Sequence, residues 1–179
     1  MTDQPNQPVD RDFSDPAEIE LLVLDVDGVL TDGSINIDDH GHELKRFHVR
    51  DGYAMKLWVS LGNQIAVVTG RTGSALQHRL DSLEVPKNLI FQGCRDKSEA
   101  LTQVLEHTGC DEERTSFMGD DWPDLPAIER VGYPMCPADA EFEVRRVCAL
   151  VTSRAGGNAA VREAIAHLLE ARGQYHPPV

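Results

Sequence analysis

Six short apolar runs in which hydrophobic residues follow one another without alternation constrain this chain more than any other feature. They read "LLVLDVD" (21–27), "QIAVVTG" (64–70), "NLIFQG" (88–93), "RTSFMGDD" (114–121) and, more weakly, "GYPMC" (132–136) and "ALVTS" (149–153). A strand with one wet face alternates apolar and polar residues. A continuous run needs cover on both faces, which predicts a parallel sheet with helices above and below it. Helical patterns fill the intervals: "YAMKLWVSL" after an N-cap at Asp51 and before Gly62, then "SALQHRLDSL", "SEALTQVLEHTG" and "DLPAIERV". A last one, "NAAVREAIAHLLEARG", places Val161, Ile165, Leu168 and Leu169 on one face. A length of 179 residues suits one compact domain.

One interval breaks the alternation. In "DGSINIDDHGHELKRFHV" (32–49), Ile35 and Ile37 recur with period two, Gly41 marks a turn, and Phe47 and Val49 follow, which predicts a β-hairpin inserted over 33–49. His40 and His42 at its tip read as a solvated turn rather than as metal ligands. The polar, proline-rich residues 1–18 are expected to be a disordered lead-in, and 173–179, with two prolines, a tail with no place in the core. The folded domain is thus expected over 19–172.

Composition narrows the partners. The chain has 30 acidic residues against 17 basic ones, which disfavours nonspecific binding to nucleic acid or to an anionic membrane and leaves a small molecule as the expected ligand. Cys94, Cys110, Cys136 and Cys148 are widely spaced and form no C-x-x-C pair, as in a reducing, cytoplasmic setting. The beginning of the sequence has no apolar stretch of the kind a signal peptide or membrane anchor needs.

In open α/β sheets, ligands bind beyond the carboxyl ends of the strands, so the residues that end each run belong together. The first run ends in Asp25 and Asp27, the second in Thr69, Gly70 and Arg71, the third leads to Lys97, and the fourth ends in Asp120 and Asp121. Each has a plainer reading alone, as a turn, a helix cap or a solvated charge. Together they bring a hydroxyl, a cation and several carboxylates to one place, which suits phosphoryl transfer. Asp25 and Asp120 can hold Mg²⁺, a hard ion that takes one or two carboxylates and keeps its waters. The two-residue spacing of Asp25 and Asp27 aims both carboxylates the same way, one as nucleophile and the other as the acid that protonates the leaving oxygen and later deprotonates water.

In order and spacing, "DVDGVLTDG", "TGR", the lysine of "RDKSEA" and "GDDWPD" resemble the motifs of the haloacid dehalogenase superfamily of aspartate-dependent phosphatases. The likeness covers about 21–171. It implies a Rossmannoid three-layer α/β sandwich with a parallel sheet, the small hairpin insertion and no large cap domain. It also implies Asp25 as nucleophile and Mg²⁺ ligand, Asp27 as acid/base and, through its backbone carbonyl, metal ligand, and Asp120 as the third ligand. Thr69, Gly70 and Lys97 are then expected to bind the phosphoryl group, with Asp121 and Asp124 in support.

"FHVRDGYAMK" and "AGGNAAVRE" are similar to the branch that dephosphorylates ulosonate-class sugar-acid phosphates. An eight-carbon octulosonate 8-phosphate bound for lipopolysaccharide synthesis is expected first, with a nonulosonate 9-phosphate as the alternative. By that likeness His48, Val49, Arg50, Asp51, Gly52, Lys56, Arg71 and Arg79 meet the sugar acid, and four chains associate through their hairpins. Lys56 stands where members often carry arginine, and Asn158 where some do. Two other classes fit less well. A signalling receiver domain needs its phospho-accepting aspartate on the third strand, which here ends "IFQG"; a catalytically dead relative would have lost Asp25 or Asp27.

Overall fold

The computed structural model describes residues 11–175. Six strands form one fully parallel sheet in the order β5-β4-β1-β6-β7-β8: β1 (Leu21–Leu24), β4 (Gln64–Thr69), β5 (Ile90–Gln92), β6 (Thr115–Met118), β7 (Met135–Cys136) and β8 (Leu150–Val151). All six runs of the sequence become strands. Their lack of alternation has a direct cause, because successive side chains serve two separate cores. Leu22, Leu24, Ile65, Val67 and Met118 point into one core, shared with α1 (Val49–Ser60), α2 (Ser74–Ser82) and α6 (Ala160–Ala171). Leu21, Val23, Ala66, Val68 and Phe117 point into the other, shared with α3 (Lys97–Thr108), α4 (Leu125–Ile128) and α5 (Phe142–Val147). The three layers are those expected.

Several local expectations change. The "DLPAIERV" helix is only the single turn α4, and the one-and-a-half-turn α5 had no strong periodic signal in sequence. The hairpin pairs β2 (Asn36–Ile37) with β3 (Glu43–Leu44), so Phe47 and Val49 are not on its return arm: Phe47 packs on the core and Val49 opens α1. The N-cap of α1 is His48, whose ring nitrogen accepts from the Arg50 amide at 3.2 Å, rather than Asp51.

At the ends, the part of the lead-in within the described residues lies on the domain. The Ser14 amide donates to the Gly132 carbonyl at 3.0 Å, the Arg11 guanidinium to the Val131 carbonyl at 2.5 Å, and Phe13 packs against the core. Tyr175, in the tail, packs there as well, since an aromatic ring gains from burial wherever a neighbouring helix leaves room. Residues 1–10 and 176–179 lie outside the described residues.

Asp51 caps a different helix. The start of α6 has an alanine, Ala159, at its N-cap position with φ 73°, and no local side chain to meet its free amides. Asp51, in the first turn of α1 and 1% exposed, accepts from the Arg162 amide at 2.8 Å, and so ties α1 to α6 across 111 residues of chain. Burial pushes its carboxyl pKa up, against the pull of the α6 amides. A carboxyl raised in the folded state contributes stability below its unfolded pKa and loses it as pH rises through the folded value. Asp51→Asn, which keeps the acceptor without the buried charge, is therefore expected to melt at or above the wild-type temperature at pH 8. Asp51→Ala should lose about 1–2 kcal/mol. Denaturant unfolding at pH 6 and pH 8 checks both, and an Asn variant as damaged as the Ala variant at pH 8 contradicts the assignment.

Candidate active site

Strand register builds the site. Leu24 is level with Val67 of β4 and Met118 of β6, so the chain leaves these three neighbouring strands within a residue or two of Asp25, Thr69 and Asp120. The Asp25 amide donates to the Met118 carbonyl at 3.0 Å, which holds the residue beside the exit of β6. From β5 the chain turns into α3, where Asp96 caps the helix and Lys97 is its first residue. Lys97 Nζ reaches Asp25 Oδ1 at 2.8 Å and also contacts Asp124 Oδ1. All three residues are buried, at 5%, 7% and 0% exposure for Asp25, Lys97 and Asp124.

Carboxylate oxygens of Asp25, Asp120 and Asp124 lie within 4.8 Å of one another. Their partners divide their duties. Asp124 is fully engaged: one oxygen faces Lys97 and the other accepts from the Asp120 and Asp121 amides at 3.1 and 3.2 Å. Asp120 Oδ1, in contrast, is buried with no hydrogen-bond partner. A lone buried carboxylate oxygen aimed at two other carboxylates is the donor set a hard divalent cation needs. Two glycines make room for it. A Cβ at Gly28, whose φ is +93°, would stand 2.0 Å from Asp120 Oδ2, and one at Gly119 would stand 2.5 Å from Asp124 Cγ. The residues fit a bound cation held by Asp25 and Asp120, with Asp124 setting the loop. Asp27 is outside this cluster by its side chain.

The electrostatics agree. Burial first, then Asp124, raises the Asp25 pKa to about 6 against the opposing pull of Lys97. Burial, then Asp25 and Asp124, raises Asp120 to about 8. For Lys97 burial works downward, but Asp25 and Asp124 outweigh it and the ammonium is held protonated above its ordinary value.

Thr69 is buried at the end of β4, where its hydroxyl accepts from the Arg71 amide at 3.3 Å. Gly70 follows it in the turn that leaves the strand. Asp121 is exposed and caps the turn after β6 by accepting from the Trp122 amide. Arg71 lies at the site, its Nη2 2.9 Å from Glu43 Oε1 and its Nε 3.9 Å from Asp27 Oδ2.

The other expected sugar-acid residues are not gathered with it. Asp51 faces α6, as above. Lys56 is exposed and pairs with Glu84 at 3.2 Å, a surface bridge. Arg79 donates to the His48 carbonyl at 3.4 Å and passes over the Phe47 ring, and its guanidinium lies close over Gly52, where a Cβ would stand 2.3 Å from Nη2. Val49 is exposed, and Arg50 lines an open groove of about 530 Å³ with Arg154, Arg162 and Tyr175.

Two residues at the site had no part in the sequence reading. Lys45, with its side chain 6% exposed, contacts Asp27 Oδ1 and lies 3.4 Å from Glu43 Oε1. The signal was present, since Glu43 and Lys45 are two apart on the hairpin's return arm and therefore share a face, while Leu44 between them is 67% exposed.

Residues 88–165 match the family model for haloacid dehalogenase-like hydrolases. The 3-deoxy-D-manno-octulosonate 8-phosphate phosphatase of Escherichia coli strain K12 is 39% identical over 168 residues, which are 93% of this chain and 88% of the relative. The chain belongs to that phosphatase family of haloacid dehalogenase-like hydrolases. As a member of the phosphatase family it is a phosphoric monoester hydrolase, and solved structures share its fold. The cobalt-bound phosphatase of Haemophilus influenzae superposes with a TM-score of 0.85 at 36% identity, covering 89% of this chain and 92% of the other. A Moraxella catarrhalis phosphatase crystallised with magnesium, phosphate and the sugar acid KDO gives 0.85 at 33% identity, covering 89% and 90%.

A cation can bind only after protons leave Asp25 and Asp120. Without metal these raised carboxyls contribute stability below the ordinary carboxylate range and lose it as pH rises through about 6 and about 8. Calorimetric titration with Mg²⁺ at pH 7 should therefore release about one proton per ion. The Mg²⁺-induced rise in melting temperature should be larger at pH 8 than at pH 5.5. A pH-independent rise with no proton release contradicts the assigned ligands.

Proposed function

We propose that the chain hydrolyses 3-deoxy-D-manno-octulosonate 8-phosphate to the free sugar acid and phosphate, with Mg²⁺ as cofactor, in the cytoplasm and ahead of lipopolysaccharide assembly. The observation that carries this reading is the buried Asp25 carboxylate, met by Lys97 at 2.8 Å and grouped with the unpartnered oxygen of Asp120, in a chain 39% identical to an enzyme of that name. The sugar-acid ligand of the Moraxella catarrhalis relative supports the same substrate.

Asp25 and Asp120 would hold Mg²⁺, which would supply the positive charge that lets a carboxylate approach a phosphate. Asp25 attacks phosphorus in line; as its O–P bond forms, the ester P–O bond breaks, and Asp27 gives a proton to the departing sugar oxygen. Lys97 and Asp124, already locked together, hold Asp25 in place and set a fixed positive charge against the phosphoryl oxygens, while the Thr69 hydroxyl and the Gly70 amide offer donors. Asp27 then takes a proton from water as the water oxygen displaces Asp25 from phosphorus. Arg71, at the mouth beside Glu43, is the cation best placed for the sugar carboxylate.

The hairpin is too small to seal this site. Ile35, Ile37 and Leu44 are 58%, 63% and 67% exposed on a two-stranded ribbon that cannot bury them itself, which supports a homotetramer built through the hairpins. Light scattering should give a tetramer, and Leu44→Asp with Ile37→Asp should dissociate it; a wild-type monomer at micromolar concentration contradicts the assembly.

Phosphate release should depend on Mg²⁺ and favour 3-deoxy-D-manno-octulosonate 8-phosphate over nonulosonate 9-phosphates in kcat/KM. Asp25→Asn should abolish it, and Asp27→Asn should lower kcat by roughly 10²-fold or more. A higher kcat/KM on a nonulosonate phosphate overturns the substrate, and turnover by Asp25→Asn overturns the nucleophile.

A further inference from the structure

The hairpin brings a buried cation to the acid/base residue. Lys45 follows β3 and is carried inward on the same face as Glu43, where its ammonium donates to Asp27 Oδ1. Asp27 Oδ2 is buried and has no hydrogen-bond partner; Arg71 Nε is 3.9 Å away. Glu43 Oε1 stands 2.9 Å from Arg71 Nη2 and 3.4 Å from Lys45 Nζ, so one carboxylate keeps both cations in place. The two oxygens of Asp27 are therefore unequal: one is tied to the hairpin and the other is free. A carboxyl that must deliver a proton to a leaving oxygen needs that proton on the oxygen facing the substrate. An ammonium, which only donates, cannot share an oxygen that already bears a proton as well as it shares a bare one.

The geometry points to Lys45 as a positioning residue that acts through Asp27, occupying Oδ1 so that Oδ2 carries the proton passed to the leaving sugar oxygen. This rests on the reading of Asp27 as general acid. In the first half-reaction the Oδ2 proton moves to the ester oxygen as the P–O bond breaks and the Asp25–phosphorus bond forms. In the second, Oδ2 receives the proton of the attacking water, and Lys45 keeps its own protons throughout. The small insertion thereby has a chemical duty as well as a place at the entrance. Leu44 alternates outward on the same arm, so a single strand turns one face to the reaction and the other to the proposed hairpin interface.

The test uses the full chain with saturating Mg²⁺ and two substrates whose leaving groups differ. Departure of the sugar alkoxide from 3-deoxy-D-manno-octulosonate 8-phosphate needs a proton, whereas departure of nitrophenolate from p-nitrophenyl phosphate does not. In single turnovers Lys45→Met should slow release of the sugar about 10- to 100-fold, part of the factor general acid catalysis supplies. Nitrophenolate release should fall less than about 3-fold, KM should stay within about 2-fold, and Lys45→Arg should restore most of the sugar rate. In an Asp27→Asn background, Lys45→Met should cost nothing further, since its partner is already disabled. If Lys45→Met does not fold, Lys45→Gln gives the same readings. Equal losses on both substrates, an effect confined to KM, or additive losses with Asp27→Asn overturn the positioning role. Full sugar release by Asp27→Asn alone would instead overturn the reading of Asp27 as the acid.

Discussion

Lys97 lies between the carboxylates of Asp25 and Asp124, and the arrangement of the whole catalytic end depends on that contact. An unpaired ion at this depth would cost several kcal/mol, and two carboxylates without a cation would not remain charged side by side. One lysine offsets much of the cost for two of them. The third, Asp120, is left with a bare buried oxygen, which is why its pKa rises to about 8, further than that of Asp25. Three carboxylates facing one lysine leave a deficit of two positive charges, which a divalent cation would supply. Because Lys97 opens α3 and Asp124 binds the amides that follow β6, the same contact fixes how two crossover segments enter and leave the sheet.

Close backbone approaches hold the remaining loops against this centre. A Cβ at Gly156 would fall 1.7 Å from the Gly28 carbonyl oxygen, and the Gly157 amide donates to the Val29 carbonyl at 3.0 Å. The glycines of "AGGN" thus press the loop before α6 onto the turn that follows Asp27, and Asp139 anchors that loop through the Gly156 amide at 2.9 Å. Asp51 completes the bracing from the other side by capping α6 from α1. None of these groups need touch substrate. Their effect is to keep the turn carrying Asp25, Asp27 and Gly28 in one conformation, the preorganisation that the proposed chemistry needs.

The strand-end residues were legible because their chemistry is unusual at their positions: charged or hydroxylic groups directly after buried strands, at carboxyl ends that a parallel sheet must gather. Asp25, Asp27, Thr69, Lys97 and Asp120 follow from that logic. Residues on helices were less legible. Asp51, Lys56 and Arg79 stand within their helices, and which way a helix turns its faces depends on packing against neighbours distant in sequence; Asp51 is caught by α6 and Lys56 by Glu84. Lys45 was missed for the opposite reason. Its period-two partner Glu43 is charged, so the inward face of the hairpin had no apolar signature.

By itself the sequence determined the class of fold and which charged and hydroxylic groups stand together at the strand ends. Continuous apolar runs permit only a doubly covered sheet, and a carboxylate placed at the end of one needs a partner of opposite charge. Tertiary structure alone decided how those groups share their partners: that Asp124 rather than Asp120 takes the lysine, that Asp27 keeps one oxygen free, and that the hairpin supplies the ammonium on the other. Such assignments depend on distances of a few ångströms between segments joined by tens of residues. Coulomb and hydrogen-bond energies change steeply over that range, and local propensity does not encode it.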